Sequence, residues 1–197
     1  MGIRPHTSVI ALGHTKGVGK DTIAKCLCIE LSKLGLKPYH TSFAYVVKKL
    51  AHQLYHNYGI CSPEFYEQYK EDKDKYVSNL DMTPRQLWIR LSDTLSQINP
   101  RIWFDATMES IPEDTDIVII SDLRYTREAR YLDELDNKVV MARVTRDGCV
   151  MVPDGAEEQL TDWPWHLTIV NSYKLDELEQ GTTGLGLLLL EHINYER

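Results

Sequence analysis

No apolar run in the sequence approaches the ~20 residues needed to span a bilayer. The opening MGIRPHTS has no apolar core of a signal peptide, and MGIRPH has no Ser or Thr sixth to complete a myristoylation signal. The expectation from these absences is a cytoplasmic protein with no membrane partner. Cysteine is sparse: Cys26, Cys28, Cys61 and Cys149 include no C-x-x-C pair, so free thiols are expected rather than a zinc or redox site. Positive charge is in deficit, 22 Lys and Arg against 29 Asp and Glu, for a net charge of -7. That balance argues against a broad basic surface for duplex nucleic acid. A few local cations can still hold a free nucleotide in an acidic protein. Internal repeats, low-complexity tracts and linkers rich in Pro, Gly or Ser are also lacking.

What is present suits one globular domain: 197 residues, 43% hydrophobic and 26% charged. Short apolar runs alternate with amphipathic stretches, a pattern of α/β layering around a parallel sheet. Ser8 to Leu12 reads as a buried strand. A helix over 22–34 puts Ile23, Leu27, Leu31 and Leu34 on one face, with Gly35 as its cap and Pro38 beyond. Tyr39 to Phe43 reads as a second strand, followed by an apolar-periodic stretch over 45–55. The polar run over 61–80 has a helix start at Ser62-Pro63. Thr83, Pro84 and Gln86 then spell a capping box with Pro at the first helical position. Leu87, Leu91, Leu95 and Ile98 form that helix's stripe, and Asn99-Pro100 stops it. Strands are expected over 117–120, 139–144 and 167–170, with helices over 126–135 and, interrupted by glycines, over 173–193.

The stretch LGHTKGVGKDTIAK, residues 12–25, follows the first strand and opens a helix, the setting of a phosphate-binding loop. It departs from the usual spacing of Gly, four residues, then Gly-Lys-Ser/Thr in two places. Five residues separate Gly13 from Gly19, with His14 in the first glycine's place, and Asp21 stands where the hydroxyl is usual. The functional reading is that glycines let backbone N–H groups face the phosphates at the positive end of the helix, and Lys20 bridges the terminal phosphates. The bland reading is a strand-to-helix turn with a solvated lysine. Nucleoside monophosphate kinases such as adenylate kinase carry a Gly-Lys-x-Thr ending, and Thr22 supplies that later hydroxyl here.

Four stretches together resemble the deoxynucleoside monophosphate kinases of tailed bacteriophages: GKDT, SFAYVVKKL, MTPRQLWIRLSDTLSQINPRIW and IISDLRYTREARYLDEL. They are similar to the family's loop ending, its Phe-Ala-x-x-(apolar)-Lys segment, its Thr-Pro-Arg-(Glu/Gln)-Leu helix with a later Trp, and its Asp-Val-Arg-Phe-x-x-Glu-Ala element. The tail AEEQLTDWPWHLTIVNSYKLDEL is similar to its Ser-Glu…Ile-x-Asn…Leu ending. Two features depart from it. The loop is one residue longer, and the family's His-x-Ser-Glu cluster is reduced to Asp154-Gly155-Ala156-Glu157.

The resemblance implies a P-loop kinase fold: α/β, a five-stranded parallel sheet flanked by helices. It would form a single domain over 1–197, with core 1–43 and 111–197, a helical acceptor-binding insertion near 44–110 and a short lid near 145–155. It also implies ATP as donor, a deoxynucleoside monophosphate as acceptor and Mg²⁺ as cofactor; homodimerisation is left open. If the source is viral, the compartment is the host cytoplasm.

Phosphoryl transfer to a phosphate needs positioning and charge neutralisation, and no general base. Gly17, Val18, Gly19, Lys20, Asp21 and Thr22 are the candidate cradle, with Arg146 offered to ATP from the lid. Asp21, Thr22 and the strand-end Asp122 are the metal candidates. Arg85, a cation opposing the dipole of its own helix, suits a bound anion there, the alternative being a tether to a nearby carboxylate. Arg124 sits where ligands of open α/β sheets bind. Lys20, Arg85, Asp122 and Arg124 make up the catalytic set, and Lys16, Lys48, Arg85, Arg124 and Glu128 the acceptor set. Trp88, Trp103, Trp163 and Trp165 are open to base stacking or to the core. A kinase of phosphomevalonate or dephospho-coenzyme A type, and a nucleotide-binding regulator without turnover, are the rival readings.

Overall fold

The computed structural model describes residues 7–13, 15–135, 138–149, 158–171 and 185–191. The chain divides into two compact units, Met1–Ser42 with Ser110–Arg197, and Phe43–Glu109.

The first unit is built on five strands: β1 (Ser8–Gly13), β2 (Pro38–Thr41), β3 (Ile117–Leu123), β4 (Val139–Thr145) and β5 (Leu167–Val170). They form one all-parallel sheet in the order β2-β3-β1-β4-β5. Both faces of its centre are covered, which is why β1 and β3 read as continuous apolar runs. Ile10, Leu12, Ile117, Ile119, Val140, Ala142, Val144 and Ile169 point to one face. There they meet Ile23, Ala24, Leu27 and Leu31 of helix α1 (Lys20–Lys33), with Leu189 from the helical stretch 185–191. Val9, Ala11, Val118, Ile120 and Met141 take the alternate positions and are equally buried. Helix α6 (Thr126–Asp133) runs beside β4 with Ala129 and Leu132 buried.

One irregularity falls at the carboxyl edge of the sheet. Ala11 pairs with Ile120 but Gly13 pairs with Leu123, so β3 carries one residue more than β1 across this step. A bulge of this kind bends the strand and re-aims its side chains. The extra residue lies at Ser121-Asp122.

The second unit is helical: α2 (Phe43–Tyr55), α3 (Pro63–Gln68), α4 (Pro84–Ile98) and α5 (Ile102–Glu109). Its core joins Val47, Ala51, Ile60, Tyr66, Leu87, Trp88 and Trp103. The capping box of α4 is formed as the sequence spells it. Gln86 N–H donates to Thr83 Oγ1 at 3.2 Å, and Thr83 N–H donates to Gln86 Oε1 at 2.8 Å. Ser62 caps α3 through Phe65 N–H at 3.5 Å.

Several boundaries differ from the sequence reading. Helix α1 starts at Lys20, two residues early, because Gly19 takes the capping position and Ile23 N–H closes onto the Gly19 carbonyl at 3.0 Å. The second strand stops at Thr41, and Phe43 opens α2 with its ring 6.2 Å from that of Phe104. Ile98 leaves the buried stripe: it is 77% exposed, since α4's last turn runs past the core. Helix α5 went unread because Asn99-Pro100 signals a stop and eight residues are too few to show a period. Of the stretch 173–193, residues 185–191 are helical and the others, 173–184 and 192–193, lie outside the described residues.

Leu87→Ala should cost about 2–5 kcal/mol of stability, as a buried Leu truncation does. Ile98→Ala should stay within about 0.5 kcal/mol, as exposed substitutions do. Urea denaturation of the two variants measures both, and equal losses would contradict the placement of Ile98.

Candidate functional site

β1 runs straight into the loop that precedes α1. Gly13 belongs to the strand and not to the loop's hollow. A Cβ there would overlap the ring of Trp165 and sit 2.9 Å from the Leu123 carbonyl. The extra glycine in the sequence is thus a packing residue, which accounts for the odd spacing. His14, in the first glycine's place, lies outside the described residues. Gly17 and Gly19 adopt positive φ, 82° and 94°, a conformation that costs other residues a steric penalty.

Lys20 is the first residue of α1 and is buried, with 7% of its surface exposed. Its ammonium turns back to the Thr15 carbonyl at 2.5 Å, closing the loop on itself. Val18 fills the core between α1 and the sheet, so its carbonyl is held away from water. Asn171, immediately after β5, donates from Nδ2 to that carbonyl at 2.7 Å. Cys149 Sγ approaches the Gly17 carbonyl at 3.9 Å. Lys16 is exposed in the same loop and Thr22 is half-buried in the first turn of α1.

The end of β3 is tied to that first turn. Ser121 Oγ donates to Asp21 Oδ1 at 2.6 Å, and His40 Nε2 lies 2.9 Å from Ser121 Oγ. With the serine proton committed to Asp21, the bond from His40 requires a proton on Nε2. This chain joins β2, β3 and α1 at one edge and brings Asp21 together with the bulge that carries Asp122.

Glu128, in the first turn of α6, folds back over the β3–α6 connection. Its Oε2 accepts from the N–H groups of Arg124 and Tyr125, each at 3.1 Å. Burial first, and then the charge of Asp122, push its carboxyl up to about 8. Both amides bind the same oxygen of the carboxyl. Arg124 is thereby fixed through its backbone, with its half-buried side chain at the sheet edge.

The helical unit carries its own charged group. Arg85 makes a two-pronged pair with Asp74, Nε to Oδ1 at 2.5 Å and Nη2 to Oδ2 at 3.0 Å. The hydrogen bonds it donates to the Asp74 carboxylate hold the Arg85 guanidinium more firmly charged. Lys48 bridges to Glu67 at 2.9 Å and lies 5.5 Å from the centroid of the Trp88 ring. Lys73 belongs to the same group: burial, then the charge of Arg85, lowers its pKa below the ordinary lysine value, with Lys48 adding to the effect. Sequence reading missed it because EDKDK looks like a solvated run.

Arg146 is exposed just past β4, and the lid region from 150 onward, with Glu157, lies outside the described residues. Trp88 and Trp103 are in the helical core. Trp165 packs on Gly13, and Trp163 Nε1 is buried without a hydrogen-bond partner among the described residues. Ser121 and His40 belong to no loop or metal motif in the sequence, and Asn171 enters only as the Asn of the Ile-x-Asn ending. The signal for Asn171 was its place directly after a strand at the carboxyl edge, within Ile169-Val170-Asn171.

No protein-family model matches this sequence, and no curated protein matches it significantly. Solved structures similar to it include an APS kinase of Mycobacterium tuberculosis, at 12% identity, TM-score 0.43 and coverage of 98% of this chain and 100% of that one. The same enzyme in complex with AMPPNP and APS gives 10% identity and TM-score 0.41 over the same shares. A sugar kinase from Janibacter gives 15% identity and TM-score 0.41, again over 98% and 100%. TM-scores this low say nothing about chemistry, which rests on the residues above.

Proposed function

We propose that this protein transfers the γ-phosphoryl group of ATP to a small phosphorylated acceptor, a deoxynucleoside monophosphate. The observation that carries the reading is the buried Lys20, at the first turn of a helix, reaching back to a loop carbonyl beneath two glycines at positive φ. Burying an ammonium costs several kcal/mol unless something anionic or strongly polar receives it. The Thr15 carbonyl receives it here, and a polyphosphate tail in the loop would be drawn to the same ammonium and to the positive end of α1.

In the reaction the bond between the γ-phosphorus and the bridging oxygen of ADP breaks, and an acceptor phosphate oxygen forms the new one. That oxygen is already anionic, so positioning and charge neutralisation are the protein's tasks. The backbone of Gly17, Val18 and Gly19, with Lys20, would hold the β- and γ-phosphates, and Arg146 would approach ATP from beyond β4. Lys16, Arg124 and Glu128 are assigned to the acceptor, as are Lys48 and Arg85 of the helical unit. There an acceptor phosphate would replace Asp74 on the Arg85 fork.

Mg²⁺ asks little of a protein: one or two oxygens besides water and phosphate. Among the described residues no three acidic, His or Cys side chains gather as a metal cage. Asp21, oriented by Ser121, and Thr22 in the same turn of α1 would meet the smaller demand, with Asp122, next to Ser121 in β3, as the further candidate. When bound, the ion would neutralise charge on the transferred group. A proton on Glu128 limits the negative charge beside Asp122 to one, which suits a site that must accept anions.

A coupled assay of ADP release with the four deoxynucleoside monophosphates, CMP and UMP tests the reading. Turnover of one or more is the expected result. Turnover only of phosphomevalonate or dephospho-coenzyme A would move the protein to the neighbouring reading, and ATP binding with no acceptor consumed would make it a non-catalytic binder. Lys20→Ala should lower kcat/KM by about 100-fold or more, with an unchanged circular dichroism spectrum. Retained activity would contradict the loop assignment.

Glu128 also fixes a sign for stability against pH. Its folded pKa is raised from the ordinary 4.5 to about 8. Its contribution is therefore complete below about pH 4.5 and is lost as pH rises through 8. In metal-free buffer, urea midpoints from pH 5 to 8 should fall more for the wild type than for Glu128→Gln. Parallel curves would show that the carboxyl is ionised throughout.

A further inference from the structure

The carbonyl of Val18 is bound by a side chain 153 residues away in sequence. Asn171 is 4% exposed, and its own N–H is held by the Thr145 carbonyl at 2.7 Å, so the residue is anchored to β4 before its side chain acts. Among the described residues its Oδ1 has no hydrogen-bond partner. The amide cannot be turned over, because that would set Oδ1 against the Val18 carbonyl at 2.7 Å, oxygen to oxygen. Its Nδ2 is also 2.5 Å from where a Cβ on Gly19 would stand.

These facts bear on the loop through the planarity of one peptide. The chain has no cis bond among its described residues, so the Val18 C=O and the Gly19 N–H point in opposite directions from a single plane. Holding the carbonyl on Asn171 therefore directs the Gly19 N–H away from Asn171. The absent Cβ at Gly19 is what lets the amide come that close.

We propose that Asn171 is a positioning residue that sets the Val18–Gly19 peptide plane and so aims the Gly19 N–H at the phosphate tail of the nucleotide. The inference rests on the kinase reading of the loop. It adds that phosphate affinity is controlled from the end of β5, by a residue that does not itself touch the phosphates. Asn171→Asp keeps the shape and removes the donor, setting an oxygen against the Val18 carbonyl. Asn171→Ala removes the side chain and leaves a buried carbonyl unsatisfied.

The test measures displacement of a fluorescent ATP analogue by inorganic tripolyphosphate and by ATP, on the full chain and on both variants. Acceptor KM is measured beside it. The expected result is about a tenfold loss of affinity for both probes in each variant, the size of one buried hydrogen bond, with acceptor KM unchanged. Tripolyphosphate has no base or sugar, so its loss isolates the loop. If the wild type binds both probes and the variants bind them equally well, Asn171 does not aim the loop and the inference falls alone. If the wild type binds neither, the kinase reading falls and takes the inference with it. Should Asn171→Ala fail to fold, Asn171→Asp decides the matter. If neither folds, Asn171 holds the core and not the loop, and the inference is overturned.

Discussion

A loop that presents amides to an anion must find other partners for its carbonyls, and here side chains of the same unit provide them. Lys20 takes the Thr15 carbonyl, Asn171 the Val18 carbonyl, and Cys149 approaches that of Gly17. Each peptide is planar, so each carbonyl that is held also sets the direction of the following N–H. The Val18 side chain, fixed in the core between α1 and the sheet, anchors the loop from below. The fold itself shapes the loop, and the proposed phosphoryl transfer would draw upon that preorganisation.

The second constraint is charge. The chain carries a net charge of -7, and acidic side chains stand at two places near the sheet edge: Asp21 against Ser121, and Asp122 beside Glu128. Two devices temper that acidity. Burial pushes the Glu128 carboxyl up to about 8, and one of its oxygens accepts from the two backbone amides that fix Arg124. Asp21 is tied to Ser121, and Ser121 to His40, so the carboxylate is held in one orientation. The bulge in β3 places Ser121 and Asp122 out of register with β1, at the point where the loop begins.

The sheet was legible because its strands are short, apolar and separated by amphipathic helices. Runs such as Val9–Leu12 and Ile117–Ile120 leave little else to be. The capping box at Thr83 was legible because its partners are three residues apart. What escaped was set by contacts distant in sequence. Gly13 looked like a displaced loop glycine and is instead the seat of Trp165, more than 150 residues on. Ile98 followed the period of its helix into solvent, since periodicity gives a direction and not the length of the core it faces. Lys20 was legible from local spacing alone. Asn171, which holds the same loop, is marked in the sequence only by its place at the end of a strand, which does not tell what it binds, because its partner is a backbone carbonyl that any residue could offer.

The central claim is that the backbone between Thr15 and Lys20 receives a polyphosphate. Titration of ¹⁵N-glycine-labelled protein with inorganic tripolyphosphate tests it directly, with the Gly17 and Gly19 signals assigned by single substitution. The account predicts that these two amide resonances shift together and saturate while Gly59, in the helical unit, stays in place. Saturable binding that moves neither Gly17 nor Gly19 would contradict it.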